Sequence, residues 1–268
     1  MKVRVMCLNG WGGTLYEPLE AYVAEVAPDV LCLQEVVHTP ASSKDILTYR
    51  DGSHVLPQRA NLFRDISRIL PDHVAVFAPA AQGVLWDGDQ QIPSQWGLAT
   101  FVHKSFPIIA QHQGFVHKTF SPNGYGDHPR SRSAHAVRLY DFERDWPICI
   151  AHMHGLRDMA GKIDTPEREA QSRRFARICQ AVMEDGDRLV ACGDFNVEPS
   201  SSTFVELGKL GLVDLVTSRG FTDTRTSHYK KTGRYADYLL VNQFVQPISF
   251  DVIGLPEVSD HRPLLLEL

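Results

Sequence analysis

Apolar residues along this chain come in two rhythms. Short apolar runs at 3–8, 29–36, 73–78, 97–102, 107–116, 134–140, 148–153, 189–192, 237–242, 248–253 and 263–267 predict strands. Run 189–192 has no polar member, as expected of a strand covered on both faces. Spacings of three and four predict helices elsewhere. One covers 17–27, with Leu19, Tyr22, Val23 and Val26 on a stripe; a second covers 58–70, with Leu62, Ile66, Ile69 and Leu70. A longer helix starts near Thr165. Thr165 is placed to cap it, Pro166 suits its first position and Glu167 favours the positive end of its dipole. Its buried stripe is Phe175, Ile178, Cys179 and Val182, and a short helix is predicted around 202–209. No repeat or long linker divides the chain. The mixture of strands and helices predicts one domain over 1–268, built from two packed mixed sheets with helices outside.

The ends of the strands break the pattern. "RLVACGDFNVEP", Arg188 to Pro199, runs from a buried strand straight into Asp194 and Asn196. A carboxylate and an amide at the rim of a core cost free energy unless something pairs with them. The same break recurs. Strand 3–8 ends at Asn9, the strand before Glu35 ends there, and strand 148–153 ends at His154. Two strands carry their polar residues at the start instead: Asp237 precedes "YLLV" and Asp260-His261 precede "PLLLEL". If the last two strands run opposite to the other four, every polar group lands on one sheet edge. Amides, four carboxylates and an imidazole gathered there suit a hard divalent cation, Mg²⁺, Mn²⁺ or Ca²⁺, better than a closed zinc site, with Mg²⁺ expected and Mn²⁺ as the alternative. Without a cation those carboxylates would repel one another and bind protons more tightly.

Composition narrows the class. Hydrophobic residues are 43% and charged residues 22%, ordinary for a soluble globular protein. No apolar run approaches the ~18 residues of a membrane span, so no stable membrane association is expected. The apolar stretch in "MKVRVMCLNGWGG" is too short for a secretory signal. None of the five cysteines forms a CxxC pair, which fits buried thiols and a cytoplasmic location. A net charge of −5 argues against a general nucleic-acid coat. Two stretches are locally basic. Lys104, Lys118, Arg130, Arg132 and Arg138 face one acid, Asp127; Arg219, Arg225, Lys230, Lys231 and Arg234 face one acid, Asp223. Either a rim that attracts an anion or a pair of solvated loops would have this composition.

The motifs "LNGW", "LQEV", "GDFN", "ADYLLV" and "SDHRPL", in this order, resemble the endonuclease/exonuclease/phosphatase superfamily, which includes pancreatic-type deoxyribonuclease, apurinic endonucleases, inositol polyphosphate 5-phosphatases and neutral sphingomyelinases. The resemblance runs from Val5 to Leu266. It implies a four-layer α/β sandwich, two mixed sheets packed face to face and flanked by helices. It implies roles as well. Glu35 would be the principal metal ligand, Asn9 a contact to the phosphate or to a metal-bound water, and Asp260 near the metal or supporting a histidine. Asp194 would position the attacking water or bind a second ion, and Asn196 would hold a phosphate oxygen. His261 would be the general base or a phosphate-stabilising imidazole, oriented by Asp237. The remaining histidine is His154 or His152 of "IAHMHGL"; alignment on Gly155 favours His154 as catalytic and leaves His152 beside the substrate. Some relatives place a carboxylate before the "G-x-A" strand to support that histidine, whereas Ser94, Gln95 and Trp96 stand here. Arg225, His228, Lys230 and Lys231 are within reach of a phosphate, with a solvated hairpin as the other reading.

The expected activity is divalent-metal-dependent phosphoester hydrolysis, with a phosphodiesterase acting on DNA, RNA or a nucleotide ranked first. Inositol phosphates and sphingolipid head groups are the alternative substrates. Two rivals differ in kind. A zinc hydrolase built on His152-Met153-His154 leaves "GDFN" and "SDH" unexplained. A catalytically inactive binding module on the same fold would show broken motifs, and the principal ones are intact.

Overall fold

The structure, a computed structural model, describes residues 2–158 and 161–268. Two sheets organise it. The first has eight strands in the order β13 (Ser249–Val252), β14 (Leu264–Glu267), β1 (Arg4–Asn9), β2 (Val30–His38), β6 (Gln90–His103), β5 (His73–Asp87), β3 (Ile46–Asp51), β4 (His54–Arg59). The second has six, in the order β11 (Val213–Asp214), β12 (Asp237–Val241), β10 (Arg188–Asp194), β9 (Trp146–His154), β8 (Arg132–Asp141), β7 (Ile108–His117). The helices are α1 (Tyr16–Val26), α2 (Leu62–Ile69), α3 (Pro166–Gln180), α4 (Ser202–Gly208) and α5 (Leu215–Ser218).

Side-chain alternation explains the layers. On β1, Met6 and Leu8 face outward with Leu31 and Leu33 of β2, against Leu19 and Val23 of α1 and Leu62 and Ile66 of α2. Val5, Cys7, Val30 and Cys32 face the other way, into a core shared with Ile150, Val190, Cys192 and Leu239 of the second sheet. Helix α3 covers the second sheet's outer face through Phe175, Ile178 and Cys179. The predicted four-layer α/β sandwich is what forms. Thr165 caps α3 as expected, its hydroxyl accepting from the amide of Arg168 at 3.3 Å. Among the described residues no helix is long and apolar enough to cross a membrane.

The strand directions meet the condition set by the sequence. β1 runs parallel to β2 and antiparallel to β14; β9 runs parallel to β10, and β12 antiparallel to β10. The C-terminal ends of four strands therefore share an edge with the N-terminal ends of two.

Two expectations need correction, and one hairpin was not expected. The strands expected at 73–78 and 97–102 are parts of one long hairpin, β5–β6, turning near Gly88. The helix expected over 58–70 begins only at Leu62, because Gln58 and Arg59 finish β4. The hairpin β3–β4, turning at Gly52, had no strand expectation. Half of its residues are exposed and Leu47 alone is buried, so it carries no apolar alternation.

Candidate active site

Register alone lines up part of the site. His154 of β9 pairs with Asp194 of β10, which pairs with Asp237 of β12. Residues opposite one another share a face, and this face looks toward the first sheet. Asn9, the last residue of β1, closes the gap: its Nδ2 donates to Asp194 Oδ2 at 3.0 Å. Its Oδ1 accepts from the amide of Trp11 at 3.0 Å, so the amide cannot rotate freely. Ser259 then ties in the last segment. Its hydroxyl donates to the Asn9 carbonyl at 2.7 Å and accepts from the His261 amide at 3.2 Å.

Glu35 is placed by an irregularity. The pairing of β2 with β6 slips between Leu33 and Val36, and Glu35 takes φ +55. A bulge of this kind re-aims a side chain. Its Oε1 lies 3.8 Å from His154 Nε2, which is 3.6 Å from Asp194 Oδ2. Asn196 also has positive φ, +54; its amide donates to Asp194 Oδ1 at 3.1 Å and its Nδ2 reaches the Gly155 carbonyl at 3.4 Å.

His261 faces Asp237 on one side and Asp194 on the other, with Nδ1 2.8 Å from Asp237 Oδ2 and Nε2 3.7 Å from Asp194 Oδ2. Arg225 Nη1 donates to Asp260 Oδ2 at 3.0 Å and also abuts His261 Nε2. A guanidinium only donates. His261 Nε2 is therefore an acceptor, and its proton sits on Nδ1, donated to Asp237. Burial raises the pKa of Asp237 and lowers that of His261, the Arg225 charge lowering both. The dyad resists separating charge until something stabilises it.

The fit to a divalent cation is tested by the groups themselves. Glu35 has its pKa pushed up to about 7, first by burial and then by Asp260, with Asp194 adding to the effect. Asp260 Oδ1 is buried without a hydrogen-bond partner. Asp194, Asp237 and His261 offer ligand atoms within 4.8 Å of one another. Both Asp237 oxygens, however, lie within hydrogen-bond distance of His261 Nδ1. Crowded hard oxygens around Asp194, with the Asp260 oxygen left without a hydrogen-bond partner, have the chemistry that suits a hard dication.

Not every candidate gathers there. His152 is 1% exposed and lies between the sheets, with Gln34 Nε2 at 3.1 Å and Thr100 Oγ1 at 2.9 Å. It is set in the core below the cleft, which corrects its placement beside the substrate. Lys230 is exposed and donates to the Ser227 carbonyl at 2.8 Å. His228 stands at the rim, 3.5 Å from Glu257, with Trp11's ring 6.0 Å away.

Other groups enter unannounced. Arg132, the first residue of β8, is 6% exposed; its Nε donates to the Gly155 carbonyl at 2.9 Å. Burial pushes its pKa down to about 10, while Glu35 and Asp194 oppose that. Its guanidinium lies 5.0 Å from the Trp96 ring, whose centroid is 5.2 Å from that of His154. His154 Nδ1 is buried without a hydrogen-bond partner. Burial, with Arg132 adding, keeps His154 neutral, well below its ordinary pKa. Lys162 Nζ donates to the Gly233 carbonyl at 3.0 Å and contributes positive charge beside Asp194 and Asp237. The basic stretch containing Arg132 was visible in sequence. Its position opposite Gly155 was not.

Carboxylates, amides and histidines thus gather at the joint edge of the two packed sheets. The chain's residues 6–261 match the model of the Endonuclease/Exonuclease/phosphatase family, and the protein belongs to that family. Its fold is similar to that of the human Nocturnin catalytic domain, at 19% identity and TM-score 0.66, covering 99% of this chain and 93% of that one. The mannosyl-6-phosphatase of Bacteroides thetaiotaomicron is similar at 13% identity and TM-score 0.68, covering 99% of each chain. So is TDP2 of D. rerio, solved with a single-strand DNA product, at 15% identity and TM-score 0.64, covering 99% of this chain and 98% of that one. No curated protein matches the sequence.

Proposed function

We propose that this protein is a divalent-metal-dependent hydrolase of phosphoesters, with a nucleotide or nucleic-acid phosphate as its substrate class. The observation that carries the reading is the convergence of Asn9 and Glu35 from one sheet with His154, Asp194 and Asp237 from the other, closed by Asp260-His261. A structural polar network would not leave crowded carboxylates and an orphan Asp260 oxygen. The single-strand DNA product held by TDP2 supports the nucleic-acid side of the reading.

Glu35, Asp260 and Asp194 would hold Mg²⁺ or Mn²⁺, which on binding neutralises phosphoryl charge and makes phosphorus more electrophilic. The chain's own groups do the rest. Asp194, fixed by Asn9 Nδ2, accepts a hydrogen bond from the attacking water and aims it at phosphorus. His261 takes the water's proton at Nε2, and Asp237 stabilises the resulting imidazolium through Nδ1–H. Asn196 and His154 donate to phosphoryl oxygens that gain charge as the bond to the leaving oxygen breaks. The leaving oxygen takes a proton from solvent water and His261 returns its proton to solvent, so the products are an alcohol and a phosphate, which is still esterified where the substrate is a diester.

The test is hydrolysis of a phosphoester panel, including DNA, RNA, nucleotides, inositol phosphates and sphingomyelin, after chelation and again after Mg²⁺ is restored. Activity should vanish and return. Asp194→Asn should lower kcat by about 10³-fold with the fold kept. Full activity in the chelated enzyme, or in that variant, would overturn the reading.

A further inference from the structure

Two buried guanidinium groups stand at opposite ends of the carboxylate row. Arg132, on β8, lies beyond His154; Arg225 lies beyond Asp237 and His261. They are 6% and 5% exposed. The charges of both reach Asp194 at the centre. Neither is a free surface arginine. Arg132 is held at Nε by the Gly155 carbonyl. Arg225 sits over the Tyr229 ring at 4.3 Å, and its backbone pairs with that of His261. Arg225 Nε is buried with no hydrogen-bond partner, and so is His154 Nδ1.

We infer that Arg132 and Arg225 form a two-sided clamp for the scissile phosphoryl group, and that this group is a terminal, dianionic phosphate rather than an internal diester linkage. The inference rests on the hydrolase reading and refines its substrate. The argument is one of charge and of donors. A diester linkage carries one negative charge on two free oxygens. A terminal phosphate carries close to two on three. His154, Asn196 and a divalent ion already suffice for the two free oxygens of a diester. The guanidiniums are now held by carboxylates, Arg225 by Asp260 and Arg132 by the charges of Glu35 and Asp194; a divalent ion that draws those carboxylates to itself would leave both desolvated guanidiniums to share one monoanion. A third oxygen and a second charge give the arginines their partner, in the forked geometry guanidinium prefers. Arg225 also covers His261 Nε2, the proposed base. A phosphate that draws the guanidinium onto its own oxygens uncovers that nitrogen for water. The chain's net charge of −5 likewise disfavours a long polyanion.

One molecule presents both bonds: a 5′-phosphorylated single-stranded oligonucleotide incubated with the Mg²⁺-loaded enzyme. Release of inorganic phosphate should exceed internal cleavage, read on a denaturing gel, by at least about 100-fold. p-Nitrophenyl phosphate should outpace its bis-ester similarly, which removes dependence on nucleic acid. R132Q and R225Q should each cut the terminal reaction by about 100-fold and narrow the preference, while R132K and R225K, which keep the charge, should recover part of it. Circular dichroism checks that each variant folds. Dominant internal cleavage, or an equal loss on both bonds in the arginine variants, would overturn the clamp while leaving the hydrolase intact. No Mg²⁺-dependent hydrolysis of either bond in any probe would instead overturn the hydrolase reading.

Discussion

His261 owes its protonation pattern to its two neighbours. Asp237 takes the Nδ1 proton at 2.8 Å, and Arg225 leaves Nε2 as an acceptor. Asp237→Asn tests this without changing shape. The amide turns its NH₂ toward Nδ1, the proton moves to Nε2, and the base is lost. The expected outcome is a fall in kcat of about 10³- to 10⁴-fold with near-native circular dichroism; a tenfold loss or less would remove His261 as the base. Much of the residue scale was legible in sequence. Asn9, Glu35, His154, Asp194 and Asp237 each interrupt or terminate an apolar strand, and burial makes such interruptions informative. Arg132 was hidden for the opposite reason. It begins its strand inside a basic, loop-like stretch, where an arginine is ordinary, and only the pairing of β8 with β9 brings it to Gly155.

At the scale of elements, the site depends on where strands stop and how closely their ends approach. Gly193 sits one residue before Asp194 with φ +138, and a Cβ there would lie 2.1 Å from the Met153 carbonyl oxygen. Gly155 shows the same crowding, its Cβ position 2.2 Å from the Phe195 carbonyl oxygen. Gly193→Ala must push β9 away from β10 where His154 and Asp194 face each other. A destabilisation of at least ~2 kcal/mol, read from urea unfolding, should accompany loss of activity. Gly88→Ala is the matched control. Its φ is +61 but nothing lies within 4 Å of the added methyl, so only local strain of roughly 1–2 kcal/mol is expected, with activity kept. Equal effects of the two would contradict the close-approach argument. Strand ends were readable because polarity changes there. The bulge at Glu35 and the length of the β5–β6 hairpin were not. A bulge leaves the residue pattern of β2 intact and shows only in its partner's register, and Gly83, Pro93 and Gly97 break up the apolar runs that would have traced the hairpin.

Across the whole molecule, the same packing of two sheets that builds the cleft encloses a polar spine beneath it. Gln34 and Thr100 of the first sheet bracket His152 of the second, and Thr100 Oγ1 also meets His135 Nδ1 at 2.7 Å. At 2% and 1% exposure, His135 and His152 are folded as neutral imidazoles. Burial pushes the His135 pKa down to about 4, with His112 adding, and takes His152 well below its ordinary value. The sign of the consequence is fixed. In the unfolded chain each histidine takes a proton near pH 6.5. In the folded chain His135 refuses it until about pH 4. Between those values the unfolded state binds more protons, so stability is full above pH 6.5 and declines as the pH falls, by up to about 1.4 kcal/mol per pH unit for each histidine. His135→Gln keeps a partner for Thr100 and removes one titrating group. Urea unfolding of the chelated protein from pH 7 to pH 4.5 should show a slope shallower by about one proton in the variant. The raised carboxyl of Glu35 works in the opposite direction but is common to both proteins, so it cancels in the difference. An unchanged slope would mean that His135 accepts its proton within the folded sandwich, and that the spine between the sheets is open to water.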